Sequence, residues 1–216
     1  MRPSADVARR AAVHAALGDA TRLTIVEDLG VSDRSPSELV ARHRVPGNLL
    51  AHHLDVLEAA GVTERVVSTG DRRRRYVRLR ADAPVPGLAP APPAGTVLFV
   101  CTRNSARSQI AAALWVKLVG GPASSAGTHP ADRVHPGALA AARRAGFGFR
   151  PRRPRALDAV EEEPELIVTV CDQAHEELGG DAWWHWSTPD PAEDGRPGAF
   201  DHAVGELRRR IARFAA

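Results

Sequence analysis

A short apolar run that ends in a cysteine constrains the fold of this chain more than any other feature. Residues 97–101 are all apolar or sulfur-containing, as in strands buried on both faces of a parallel sheet. Five residues separate Cys101 from Arg107, and apolar residues recur at helical spacing from Ile110 onward. The pattern therefore predicts a strand, a tight loop and a helix within a parallel α/β domain.

The loop between this strand and helix has the composition of an oxyanion-binding site. Backbone N–H groups and the positive end of a helix converge on such a loop, and they favour both a bound anion and a thiolate. The guanidinium of Arg107 can donate two parallel hydrogen bonds to a tetrahedral oxyanion. We expect Cys101 to be the nucleophile and Ser108 to donate a hydrogen bond to its sulfur. The residues expected to bind the oxyanion are Thr102, Arg103, Asn104, Ser105, Ala106, Arg107 and Ser108.

Cysteine usage restricts the remaining chemistry. Cys101 and Cys171 are the two cysteines of the chain, which excludes a disulfide framework and a four-cysteine zinc site. We expect neither a metal nor an organic cofactor. Cys171 ends a second predicted core strand, and parallel strands end on the same side of a sheet. The sequence therefore predicts that Cys171 lies within reach of Cys101.

A proline-rich segment divides the chain. Residues 81–95 contain five prolines and two glycines, without apolar periodicity. This composition is typical of a semi-rigid extended linker. We therefore predict an N-terminal domain over residues 1–82, a linker over 83–95 and a C-terminal domain over 96–216.

The N-terminal part has the pattern of helices followed by a hairpin. Apolar residues at helical spacing predict helices over 6–17 and 19–29. A third helix is predicted to begin after Ser35, with Glu38 completing a capping box, and a fourth to begin at Asn48. Two short helices joined by a tight turn form a helix-turn-helix, and the hairpin that follows forms a wing. Residues 1–82 hold 14 arginines against 11 acidic residues, which favours a nucleic-acid partner weakly.

This N-terminal part resembles the winged helix of arsenic-repressor (ArsR-type) regulators. The resemblance is carried by ALGDATRLTIVEDL, SPSELVARHRV, LLAHHLDVLEAAGVTERV and DRRRRYVRL. It implies a homodimer that binds a double-stranded DNA operator through its second motif helix and its wings. The residues that would contact DNA are Asn48, His52, His53, Arg72, Arg73, Arg74 and Arg75.

Two departures from that family limit what the resemblance implies. Gly47, Leu49 and Ala51 occupy positions where polar side chains usually read bases, so the sequence specificity is altered or weak. Residues 1–95 contain no cysteine and cannot form a thiolate site for arsenite. A metal site built from histidines is an alternative, and so is a stable dimer that has no role on DNA.

The C-terminal part closely resembles the low-molecular-weight protein tyrosine phosphatases, whose fold includes the thioredoxin-coupled arsenate reductases. The resemblance is carried by VLFVCTRNSARSQIAAAL, SAGTHP, LIVTVCD and HWSTPDPAED. It implies a four-stranded parallel sheet with helices on both faces. It also implies that Asp190, which precedes Pro191, is the general acid. In the reductases, the segment that aligns with Cys171 carries the resolving thiol.

The sequence favours arsenate over a phosphoester without deciding between them. Phosphatases of this fold need no thiol at the position of Cys171, and they usually carry an aromatic residue where this chain has Ala192. Against this, Leu178 occupies the position of the reductases' relay cysteine, and Arg103 replaces a usual glycine. The reductant is therefore expected to be either a thioredoxin-like protein or a small thiol.

Three functional interpretations remain open at this stage. The first is a DNA-binding regulator fused to an arsenate reductase, an oxidoreductase of arsenical resistance. The second is a regulator whose phosphatase-like domain senses an oxyanion or oxidant without turnover. The third is a phosphatase, a hydrolase acting on phosphotyrosine or a small phosphoester. No stretch of eighteen apolar residues and no secretory h-region occurs, so a cytoplasmic protein without a membrane partner is expected.

Overall fold

The computed structural model describes residues 4–83, 85, 87–180 and 183–215. The described residues divide into two compact units: the first lies within 4–68 and 72–89, and the second within 69–71 and 90–215. Pro84 and Pro86 of the predicted linker lie outside the described residues. Among the residues described, no helix combines the length and the apolar character needed to cross a membrane.

The first unit consists of four helices followed by an antiparallel hairpin. Its elements are α1 (Ala5–Leu17), α2 (Ala20–Val31), α3 (Pro36–His43), α4 (Gly47–Ala59), β1 (Thr63–Val67) and β2 (Arg75–Leu79). The predicted capping box is confirmed, because the Ser35 side chain accepts from the Glu38 amide and the Glu38 carboxylate accepts from the Ser35 amide. The fourth helix begins at Gly47, one residue before the predicted start.

Apolar side chains from these helices and from the hairpin form the core of the first unit. The helical spacing of Leu50, Leu54 and Leu57 places all three on the buried face of α4. A buried ion pair lies beside this core: the Arg34 guanidinium donates to Asp28 through Nε at 3.2 Å and through Nη2 at 3.1 Å. Pairing of this kind offsets the cost of removing both charges from water.

The second unit is built on a four-stranded parallel sheet of order β4-β3-β5-β6, which confirms the predicted sheet. Its elements are β3 (Val97–Cys101), α5 (Arg107–Leu118), β4 (Ala123–Gly127), α6 (Pro136–Arg144), a 3-10 turn (Leu157–Ala159), β5 (Leu166–Thr169), α7 (Asp172–Leu178), β6 (Trp184–His185) and α8 (Ala199–Ala212). All five residues of β3 are buried, as the apolar run predicts. The central position of β3 brings the loops after β4 and β5 to either side of Cys101.

An aromatic cluster fills the core of the second unit. Trp115 of α5 packs between Phe99 of β3 and Phe214, with ring centroids 5.8 and 5.4 Å away. Trp186 packs against the same Phe99 at 5.7 Å. All four tryptophans of the chain belong to residues 96–216, so tryptophan fluorescence reports the unfolding of this unit.

Candidate active site

The loop between β3 and α5 turns sharply around a single residue. Cys101 ends β3, and α5 begins at Arg107. Asn104 lies between them with a φ of 48°, in the left-handed region that asparagine tolerates better than most residues. The loop therefore curls back toward the sulfur of Cys101 instead of extending away from the sheet.

Every backbone carbonyl of this loop accepts a hydrogen bond from outside it. The donors to the carbonyls of residues 101 to 106, in order, are Thr128 N (3.2 Å), His129 N (2.8 Å), Ala131 N (2.9 Å), Gln109 Nε2 (2.9 Å), His135 N (2.8 Å) and Ile110 N (2.9 Å). Within the part of the chain that the structure describes, no backbone N–H of residues 103–108 donates to a protein atom. With the carbonyls held outward, these N–H groups are available to an anion.

The side chain of Asn104 fixes the hydroxyl that faces Cys101. Its Nδ2 donates to Ser108 Oγ at 2.9 Å and to Ser125 Oγ at 2.9 Å, while its Oδ1 accepts from the Arg155 amide at 3.1 Å. Ser108 Oγ also lies 3.1 Å from Cys101 Sγ. Because Ser108 already accepts from Asn104, its own hydrogen is free to point at the sulfur.

Gly127 allows β4 to approach the loop closely. A Cβ at this position would lie 2.6 Å from Thr102 O and 2.9 Å from Asn104 N, both of them backbone atoms. The residue pairs with Cys101 in the sheet register. A side chain here would therefore displace the loop, and this requirement was not anticipated from the sequence.

Arg107 is buried, and its guanidinium reaches the segment that carries Asp190. Nη1 donates to the Thr188 carbonyl at 2.9 Å, and Nη2 forms a short ion pair with Asp190 Oδ2. Burial disfavours the charged guanidinium, but the negative charges of the two cysteine sulfurs, Asp190 and Asp172 outweigh it and raise the pKa of Arg107. The other carboxylate oxygen of Asp190 accepts from the Ala192 amide at 2.9 Å.

The second thiol lies beside the loop. Cys171 is the N-cap of α7, and its Sγ accepts from the Ala174 amide at 3.5 Å. The Thr102 hydroxyl lies 3.4 Å from the same sulfur. Burial raises the pKa of the Cys171 thiol, while the nearby charge of Arg107 acts in the opposite direction. Both cysteines are free and buried.

A buried polar cluster follows Cys171 in the chain, and sequence reasoning missed it. Asp172 Oδ1 lies 2.9 Å from His185 Nε2, and both side chains are fully buried. Burial disfavours the carboxylate, but the hydrogen bond and charge of His185 outweigh it and lower the pKa of Asp172 to about 2. Thr169 Oγ1 lies 3.0 Å from Nδ1 of His185 and 3.0 Å from Nδ1 of His175. The only sequence signal was two histidines near the ends of predicted strands.

The predicted loop residues differ in their exposure. Thr102, Asn104, Ala106, Arg107 and Ser108 are buried, Ser105 is half-buried and Arg103 is exposed. The exposed Arg103 side chain does not contribute to the buried wall of the loop. It is therefore the least supported member of the predicted oxyanion-binding set.

The residues predicted to contact DNA are exposed, with one exception. Asn48 and His52 are exposed on α4, and Arg72–Arg75 are exposed between the two hairpin strands and at the start of β2. His53 is buried, and its Nδ1 lies 3.9 Å from Asp19 Oδ1. The expectation that His53 faces DNA is therefore wrong, because its spacing from Leu50 and Leu57 places it on the inward face of α4.

The histidine-based metal site has no counterpart in the structure. Among the described residues, no group of three or more histidine, cysteine, aspartate or glutamate side chains is placed to hold a metal ion. His43 Nε2 instead lies 3.3 Å from Asp28 Oδ2.

The strand β3 ends in a cysteine, and the loop after it adds backbone N–H groups and a buried arginine. This arrangement is typical of cysteine-based enzymes that act on oxyanions. Residues 96–216 match the model of the low molecular weight phosphotyrosine protein phosphatase family, and the chain belongs to that family.

Two relatives and one solved structure that are similar to the C-terminal part of this chain are named arsenate reductases. An arsenate reductase of Brevibacillus brevis is 32% identical over 56% of this chain and 93% of its own length. An arsenate reductase of Bacillus licheniformis is 30% identical over 56% of this chain and 94% of its own length. A crystal structure of arsenate reductase from Archaeoglobus fulgidus is 29% identical, covers 54% of this chain and 95% of that chain, and has a TM-score of 0.45. The prediction of an enzyme of the arsenate reductase or low molecular weight phosphatase type is confirmed.

Proposed function

We propose that the second unit is a thiol-dependent arsenate reductase and that the first unit is a DNA-binding regulator. The observation that carries the reductase proposal is the position of Cys171. Its sulfur lies 3.4 Å from the hydroxyl of Thr102, the residue that follows Cys101, and close enough to Arg107 to contribute to the raised pKa of that guanidinium. A hydrolytic phosphatase has no use for a second thiol at this position.

The first step transfers arsenate to Cys101. Arsenate binds to the loop N–H groups and the Arg107 guanidinium, and the Cys101 thiolate attacks arsenic. A sulfur–arsenic bond forms while an oxygen leaves with a proton from Asp190 as water. The Ser108 hydroxyl and the loop N–H groups stabilise the thiolate before attack.

The second step reduces arsenic. The Cys171 thiolate attacks the sulfur of Cys101, a disulfide forms, and the electron pair of the sulfur–arsenic bond stays with arsenic, which leaves as arsenite. The disulfide is then reduced by two electrons from an external thiol. Leu178 stands where a relay cysteine would carry the disulfide outward, so either a thioredoxin-like protein or a small thiol acts directly on this pair.

Steady-state assays separate the candidate activities. Wild-type protein should release arsenite from arsenate in the presence of thiols, and Cys101→Ser should abolish the reaction. Cys171→Ser should remove turnover while still permitting arsenate to react once with Cys101. Undiminished turnover in Cys171→Ser would exclude this thiol as the resolving group and leave a small thiol to act on the arsenylated Cys101.

The same variants distinguish the two other functions. Hydrolysis of an aryl phosphate that depends on Cys101 but not on Cys171, without arsenate reduction, would establish a phosphatase. Absence of turnover with both substrates, together with an arsenate-dependent change in DNA binding, would establish a non-catalytic sensor. Comparison of DNA binding with and without arsenate, in wild type and Cys101→Ser, completes the test.

The first unit is proposed to be a winged helix-turn-helix of the ArsR type, within predicted boundaries of residues 1–82, a linker of 83–95 and a catalytic domain of 96–216. Support comes from α3 and α4 joined by a short turn, with Asn48 and His52 exposed on the second helix. The exposed arginines 72–75 are suited to contact phosphates beside the groove. The proposed partner is a double-stranded operator bound by a homodimer.

The salt dependence of DNA binding tests this assignment. If Arg72–Arg75 of both protomers contact phosphates, replacing the four by alanine should reduce the slope of log affinity against log salt by about 3 to 4 per protomer, which is about 7 for the homodimer. Arg209→Ala, which removes an exposed arginine of α8 that pairs with Glu206, serves as the control. An unchanged slope in the hairpin variant would contradict the role of the wing.

A further inference from the structure

The guanidinium that would hold the oxyanion is already bound to a carboxylate. Nη2 of Arg107 pairs with Asp190 Oδ2, and Nη1 donates to the Thr188 carbonyl at 2.9 Å. A guanidinium often binds a tetrahedral oxyanion through two parallel N–H donors, and two of its donors are already in use here. The anion and Asp190 therefore compete for Arg107.

The Asp190 carboxylate accepts hydrogen bonds from two directions but is partly exposed to solvent. Its Oδ2 faces Arg107, and its Oδ1 accepts from the Ala192 amide at 2.9 Å. The side chain of Asp190 is 25% exposed to solvent, whereas that of Arg107 is 6% exposed. The arginine is fixed in the interior, so the carboxylate is the partner able to move or change its protonation state when an anion enters.

We propose that the Arg107–Asp190 ion pair controls the general acid, so that Asp190 takes up a proton only when an oxyanion is bound. This ion pair is called the latch below. An entering dianion takes the guanidinium donors, so Asp190 loses its cation and gains a neighbouring negative charge. Both changes favour the neutral carboxylic acid, and Asp190 takes up one proton from solvent. The acid form then stands beside the anion that it must protonate.

The latch adds a regulatory step to the proposed function and depends on the same anion site. While Asp190 is paired with Arg107 it acts as a hydrogen-bond acceptor and not as a proton donor, so the Cys101 sulfur does not face a general acid before the substrate arrives. The charged and titratable groups around Arg107 are Asp190, Asp172, Cys101 and Cys171. Since either thiolate would also accept a proton beside a bound anion, the test must remove both sulfurs.

Sulfate binding to the Cys101→Ser/Cys171→Ser protein isolates the proton taken up by the latch. Sulfate remains a dianion at neutral pH, so any proton that accompanies its binding is bound by the protein. Calorimetric titration in two buffers of different ionisation enthalpy measures this proton. We expect uptake of up to about one proton per sulfate.

Variants of the two nearby aspartates show which carboxylate binds the proton. Asp190→Asn in the same background should abolish the proton uptake and tighten sulfate binding by about tenfold, because the competitor for Arg107 is lost. Asp194→Asn removes a carboxylate of the same turn that pairs with Arg196, and should leave both quantities unchanged. Circular dichroism checks that each variant is folded.

The possible failures are distinguishable. Sulfate binding without proton uptake, or an affinity that Asp190→Asn leaves unchanged, overturns the latch and leaves the oxyanion site intact. Failure of the folded double-serine protein to bind sulfate overturns both the latch and the proposed anion site.

Discussion

Replacing Gly127 by alanine tests whether the close approach of β4 shapes the oxyanion loop. The new Cβ would lie 2.6 Å from the Thr102 carbonyl oxygen, about 0.8 Å inside the 3.4 Å at which ordinary contact begins. It would also lie 2.9 Å from the Asn104 nitrogen, so the loop backbone must move. A displacement of this size at a preorganised site costs on the order of a hundredfold in rate or affinity.

The effect on stability should be smaller than the effect on binding. Overpacking of this kind costs about 1 to 3 kcal/mol, which a folded unit can tolerate. Urea unfolding followed by tryptophan fluorescence gives the stability of the second unit, and calorimetry with sulfate gives the affinity. Gly148→Ala is the matched control, since its Cβ would meet nothing within 4 Å. Sulfate affinity in Gly127→Ala equal to that of the control would refute the reasoning.

Three further predictions concern buried polar groups. Asn104→Ala should lower the free energy of unfolding of the second unit by about 4 kcal/mol, from three lost hydrogen bonds and a left-handed alanine, and Asn104→Gly by about 3 kcal/mol, as measured by tryptophan fluorescence. Equal losses would contradict a backbone contribution. Because the pKa of Asp172 is lowered to about 2, its ionised form stabilises the folded state above about pH 4, and this contribution is lost as the pH falls toward 2. The stability difference between wild type and Asp172→Asn should therefore shrink over that interval, and a constant difference would contradict the assignment. Arg34→Met leaves Asp28 without its most buried partner and should destabilise the first unit by about 3 to 5 kcal/mol, measured by amide hydrogen exchange in α2. Unchanged exchange would show that the other partners of Asp28 suffice, namely Arg42, whose Nε donates to Asp28 Oδ2 at 2.8 Å, and His43.

Features fixed by neighbouring residues could be predicted from the sequence. The capping box at Ser35 and the buried run of β3 depend on residues within one or two turns, and both were predicted correctly. His53 shows the limit of this approach. The resemblance to DNA-binding helices predicted that His53 is exposed. Its spacing from Leu50 and Leu57 is that of a buried position, and the structure shows that the side chain is buried.

The donors that orient the loop could not be predicted, because they come from distant segments. Most of the carbonyls of residues 101 to 106 accept from amides between Thr128 and His135, and these amides carry no side-chain signature. The need for a glycine at position 127 follows only from the distance between β4 and the loop. Backbone positions of this kind depend on the packing of the whole sheet.

Strand order decides which chemistry the loop can perform. The sequence predicted that Cys101 and Cys171 each end a core strand, but many strand orders would have separated them. Because β3 lies between β4 and β5, the residue after β5 is brought to the loop after β3, and Thr102 meets Cys171 across 69 positions of sequence. The pairing of Arg107 with Asp190 spans 83 positions and depends on the same arrangement. A family motif can therefore locate the nucleophile. The groups that would resolve the Cys101 adduct, protonate the leaving oxygen or compete with the oxyanion for Arg107 become identifiable only once the strand order is known.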